Sequence, residues 1–163
     1  MPSRRGFRWD QGNSRLEVQV DGTVAARFND TGSYLTIPAG DVTITAGNLD
    51  MVAGTLDIQD GGAVTQATNR TTGVTLNTYS GKVTGDDASL AAVTIATHTV
   101  TNSTVAATDN VIITKVSGDV DTLAFVSAVA SGSFNVSVRN NAASAADTTA
   151  FVYNFAVIKS AIT

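Results

Sequence analysis

The chain has 163 residues, a formal net charge of −4 and no cysteine, so disulfides, thiolate metal sites and cysteine nucleophiles are excluded. No apolar run approaches the ~20 residues of a membrane-spanning helix, and the arginine-rich start leads into polar residues instead of the apolar core of a secretion signal. One domain of ordinary size plus an appendage fits this length, domains being commonly about 100–150 residues.

Charge is unevenly placed. Residues 1–15 carry Arg4, Arg5, Arg8 and Arg15 against the single acid Asp10, a balance of +3, whereas the rest holds six basic and thirteen acidic residues, a balance of −7. Phe7 and the only tryptophan, Trp9, fall inside this basic arm, and aromatic rings with arginines are the residue types enriched in interface hot spots. The arm reads as an attachment element with Arg4, Arg5, Phe7, Arg8, Trp9 and Arg15 as contact residues; the alternative is a solvated terminus that tucks Trp9 against the first hairpin. Nucleic acid is a poor partner, because four arginines make a small footprint and the acidic body repels phosphate.

From Arg15 to Phe28, Leu16, Val18 and Val20 alternate with polar residues up to Asp21-Gly22, after which Val24 and Ala26 resume the pattern. Asp-Gly between alternating runs predicts a two-residue hairpin. Its second face carries Arg15, Glu17 and Gln19, either solvated or a docking surface. Arm and hairpin make up a first segment, residues 1–32.

The next segment, 33–61, repeats every seven residues as SYLTIPA, GDVTITA, GNLDMVA and GTLDIQD. Leu35, Val42, Leu49 and Leu56 form one apolar column, and Ile37, Ile44, Met51 and Ile58 form a second two residues on. A coiled coil needs apolar spacings of three and four, not two and five. Gly40, Gly47 and Gly54 would each cost a helix roughly 1 kcal/mol, and Pro38 about 3. Each unit is one short strand and one glycine corner. A unit with two inward side chains cannot cover them alone, so the pattern predicts a short intertwined β-prism shaft in a homotrimer, with these eight side chains as its core.

Past Gly61-Gly62 the register ends and residues 62–163 read as a C-terminal knob. Strands are expected near 64–68, 74–77, 82–84, 93–101, 110–116, 122–130, 134–139 and 149–158, and their spacing predicts an antiparallel β-sandwich or jelly roll. Ser131-Gly132 is the clearest turn, with Leu123, Phe125, Ser127 and Val129 on one arm and Phe134, Val136 and Val138 on the other. Phe151, Tyr153 and Phe155 at period two read as the core side of a central strand. A single helical turn is expected at 86–92. The fold class is therefore all-β throughout.

Reagents for catalysis are scarce, and the protein is read as a non-enzyme with no cofactor. His98, the sole histidine, is read as a surface or trimer-axis residue. No Gly-x-Ser-x-Gly elbow is present. The acid pairs Asp86-Asp87, Asp119-x-Asp121 and Asp57 with Asp60 lack the spacing of a calcium-binding loop and read as solvated loop carboxylates, so no metal is expected. The Asn-x-Ser/Thr triplets at Asn29, Asn69, Asn102 and Asn135 are of the kind chance supplies in a chain rich in threonine and serine.

The run GGAVTQATNRTTGVTLNTYSGKVT (61–84), with NSTVAATDN (102–110), FNVSVRN (134–140) and FVYNFAVIK (151–159), resembles segments of virion structural proteins of tailed bacteriophages. The resemblance implies a trimeric β-rich knob on a head decoration protein or a fibre, and it brings no catalytic residues. The chain is short for a tail fibre. The resemblance and the length together lead to the expectation of a homotrimeric capsid decoration or cement protein. It would be made in the host cytoplasm and seated on the outer capsid surface, with the major capsid protein as partner and neither membrane nor nucleic acid bound. The alternative is a tail fibre, spike or head fibre whose knob binds a receptor or carbohydrate. Tyr79, in the loop 77–81, is the candidate ligand residue for that case, unless it plugs a subunit seam.

Overall fold

The computed structural model describes residues 6–12, 15–20, 23–29, 35–36, 55–56, 58 and 61–160. All the regular structure among them is β: twelve strands in three four-stranded sheets. The chain divides into two compact units, residues 1–54 and 55–163.

The first unit holds β1 (Gly6–Asp10), β2 (Arg15–Val20), β3 (Thr23–Asn29) and β4 (Leu35–Thr36), paired antiparallel in that order. The hairpin read from residues 15–28 is present as β2 and β3, while its corner, Asp21-Gly22, lies outside the described residues. Over Gly6–Asp10 the basic arm is an edge strand paired with the first strand of the hairpin. Phe7-Arg8-Trp9 alternates with the same period as Leu16-Glu17-Val18, so the two runs zip together, Phe7 opposite Val18 and Trp9 opposite Leu16. Of the repeat columns, Leu35 sits in β4 beside β3, and Leu56 and Ile58 are exposed. Ile37, Val42, Ile44, Leu49 and Met51 lie outside the described residues.

The second unit is a sandwich. One sheet orders β5 (Ala63–Thr65), β7 (Ser80–Thr84), β12 (Val152–Ile158) and β9 (Asn110–Ser117). The other orders β10 (Thr122–Ala130), β11 (Ser133–Asn140), β8 (Ile95–Thr101) and β6 (Val74–Thr75). Val83, Tyr153 and Phe155 from the first sheet meet Val100, Phe134 and Val136 from the second, all buried. Phe134 and Phe155 pack at 5.3 Å between ring centroids. Side chains of this size contribute about 1.5–3 kcal/mol each when removed from water. The period-two rings Phe151, Tyr153 and Phe155 are all in this core, and β12 is a central strand as expected.

Three expectations are corrected in this unit. The sheets are not antiparallel throughout: β5 runs parallel to β7, and β6 parallel to β8. These two edge strands are also shorter than expected. Residues 86–92 form no helix. The Asp86 carboxylate accepts the Ala88 N–H at 2.8 Å, the competing local bond that draws such residues out of helices, and Leu90 bridges to Asp147 instead. On β10, Leu123, Phe125, Ser127 and Val129 do not share one face. A register shift between Val126 and Ala128 inverts the alternation, so Ala124, Val126 and Val129 face the core while Leu123 and Phe125 face outward.

Candidate attachment surface

Of the candidate contact residues, Phe7, Arg8 and Trp9 lie on β1, an edge strand of its sheet. Side chains alternate along a strand, so Phe7 and Trp9 share one face and Arg8 takes the other. Phe7 is 75% and Trp9 56% exposed, beside the half-buried Leu16 and Val18 on β2. By register, Trp9, Leu16, Phe28 and Leu35 fall in one row across all four strands. The cation and the rings of the expected anchor are thus split between two faces, a consequence of pairing that a free arm would not impose. Arg4 and Arg5 lie outside the described residues, and Arg15 occupies β2 opposite Asp10.

Arg8 faces Glu17 across the strand pair, and Glu17 in turn lies opposite Arg27 on β3. Glu17 is buried and accepts a hydrogen bond from Gln19 Nε2 at 3.1 Å. The choice between solvent and docking for that face is therefore corrected at Glu17, whose carboxylate is internal. Opposite charges directly across a strand pair stabilise it by roughly 0.2–1 kcal/mol.

In the sandwich, Tyr79 is 40% exposed. Its loop is pinned: the Val157 N–H donates to the Tyr79 carbonyl at 2.7 Å, and Asn102 Nδ2 donates to the Thr78 carbonyl at 2.8 Å. One residue further on begins a shallow groove of about 530 Å³, lined by Gly61, Gly62, Ser80, Lys82 and Asn154. Lys82 and Asn154 are cross-strand partners on its floor.

His98 is corrected from surface to core. It is buried on β8, and its Nε2 lies 2.8 Å from Tyr153 Oη of the facing sheet. Burial pushes the imidazole down to about 4 and the Tyr153 phenol upward, because the interior disfavours the charged form of each. Its Nδ1 is buried without a partner among the described residues. The ring is neutral and structural near pH 7. The signal was available in the alternation, since His98 shares its parity with Ala96 and Val100, and the exposed Thr97, Thr99 and Thr101 have the other.

Two acid pairs turn out to be turn chemistry. Asp119 accepts the Asp121 N–H at 2.8 Å, as Asp86 does that of Ala88, and no group of three or more metal-ligating side chains gathers among the described residues. Asp57 and Asp60 lie outside them.

Two ion pairs escaped the sequence, one buried and one whose lysine is half-exposed. Arg70 pairs with the Asp147 carboxylate at 3.1 Å and donates to the carbonyls of Ala88, Asp147 and Thr149, tying three loops together. Asp109 accepts from the Ala106 N–H and from the Lys159 ammonium, which together hold its carboxyl below the usual range. Both pairs join residues distant in the chain, so spacing carried no trace of them.

Comparison with known proteins returns no matching family model, no matching curated protein and no matching solved structure.

Proposed function

We propose that this protein is a non-enzymatic virion component of a tailed bacteriophage, a homotrimeric decoration or cement protein. Its first unit grips the major capsid protein on the outside of the shell and its sandwich is displayed. The observation that carries this is the exposure of Phe7 and Trp9, 75% and 56%, on an open edge strand. Two large rings left in water on one strand are chemistry suited to a partner. The resemblance over 61–159 supports the virion assignment, and the exposed Leu56 and Ile58 support a shaft completed by sister chains. Three equivalent contacts held in one rigid trimer act by effective concentration, with avidity ~10² to 10⁴ above that of one contact. A trimer also matches a threefold point of an icosahedral lattice.

Because Gly6–Asp10 is paired with β2, point changes test the surface better than deletion of the arm. Phe7→Ser with Trp9→Ser should abolish co-sedimentation with empty shells while the circular dichroism spectrum is unchanged. Full occupancy of shells by the folded double variant would refute the attachment. A second function, glycan recognition by the knob, is favoured by the exposed Tyr79 ring on its pinned loop. A glycan array that stays blank for the wild type dismisses it.

A further inference from the structure

We propose that the outer face of the β10-β11-β8-β6 sheet, at its Leu123–Arg139–Ile95 end, is a subunit interface filled by a second copy of this chain. Leu123, Arg139 and Ile95 stand side by side in register across three strands. Phe125 lies two residues along from Leu123 on the same face. Leu123, Phe125 and Ile95 are each 46–59% exposed, and Val120, on the turn into β10, is 87% exposed.

A backbone outlier adjoins this row. Val93 has φ +59° and is 57% exposed. It occupies the third position of a turn closed by the Thr94 N–H on the Ala91 carbonyl at 3.3 Å, where glycine or asparagine is the relaxed choice. A β-branched residue is strained there, and within one subunit its side chain gains little burial in return.

The charges favour self-association. Arg139 is exposed and has no ion pair or hydrogen bond through its guanidinium among the described residues. The Asp121 carboxylate, at the rim of the same face beside the end of β11, has none either, although its backbone is bonded to Asn141 and Asp119. About a threefold axis the Arg139 of each copy can pair with the Asp121 of the next, so one such cation and one such anion per copy close the ring. Leu123, Phe125, Ile95, Val93 and Val120 together supply the apolar centre that an interface between copies needs.

This inference rests on the self-association in the proposed function but names a surface that the attachment strand does not include. The test is the mass of the intact protein by sedimentation, for the wild type and for Arg139→Glu, Leu123→Asp and Val93→Asn, each checked for fold by circular dichroism. Wild type should be trimeric, and the first two variants should raise the dissociation constant at least tenfold. Val93→Asn should raise the melting temperature while weakening association. Arg139→Glu with Asp121→Arg should restore assembly, which separates lost pairing from lost folding. If the wild type is trimeric and every variant stays so, this face is not the interface and the trimer stands. Loss of shell binding at unchanged mass would assign the face to the capsid protein and overturn the inference. A wild-type dimer dissolved by Arg139→Glu would keep the interface and overturn threefold symmetry. A monomeric wild type overturns both.

Discussion

His98 shows how much one buried side chain sets for its surroundings. Its ring bridges the two sheets through Tyr153, and burial holds its pKa at about 4 against 6.5 in the unfolded chain. Between those values the unfolded state binds the extra proton, so stability is full above pH 6.5 and falls as pH drops toward 4. At one pKa unit per 1.36 kcal/mol, the loss is on the order of 3 kcal/mol. Urea midpoints at pH 7, 5.5 and 4.5 should decline stepwise in the wild type. In His98→Gln, which has nothing to titrate there, the decline should flatten. Asp109, whose carboxyl is held low by the Ala106 N–H and Lys159, contributes stability that is full above the ordinary carboxylate range and is lost as pH falls through that range toward its depressed folded value. The decline between pH 7 and 5.5 therefore belongs to the histidine.

At the scale of elements, the loops are built by one recurring device. Asn69, Asp86, Asn102, Asp119, Asn140 and Asp147 each accept the backbone N–H two residues ahead, the side chain mimicking a turn. This explains two of the Asn-x-Thr triplets. Thr71 and Thr104 hydroxyls donate to Asn69 and Asn102 at 2.7 Å, and Asn102 is fully buried, so the triplet there serves the turn. Strand edges are legible in outline: β10 has its expected bounds, and Gly132, at φ +82°, makes the turn expected at Ser131-Gly132. The bulge at Ser127 is not legible, since nothing in Thr122–Ala130 marks where alternation inverts. Gly81 is a similar case, visible only in the packed structure. A Cβ there would lie 2.6 Å from Leu76 Cδ2 and 2.9 Å from Phe155 Cε1. Gly81→Ala should cost about 1–3 kcal/mol by overpacking, measured as a lower urea midpoint with unchanged slope. An unaltered midpoint would mean that Leu76 moves aside freely.

The molecule as a whole comprises two compact units, and the core of the second is drawn from residues within 64–157 among those described. Residues 55–163 produced alone should therefore keep native near-ultraviolet circular dichroism and a cooperative melt. A molten spectrum for that fragment would show that the sandwich depends on the preceding residues. By itself the amino-acid order determined that the chain is all-β, where most strands of the sandwich run, and that Phe151, Tyr153 and Phe155 face inward, because alternation at period two is a local property of the backbone. Only the tertiary structure decided that β5 and β6 pair in parallel, that His98 is a core residue, that Leu123 and Phe125 face outward, and that Arg70 finds Asp147. Those outcomes depend on which distant strand arrives alongside and in what register, and the energies that select it come from contacts between residues far apart in the chain.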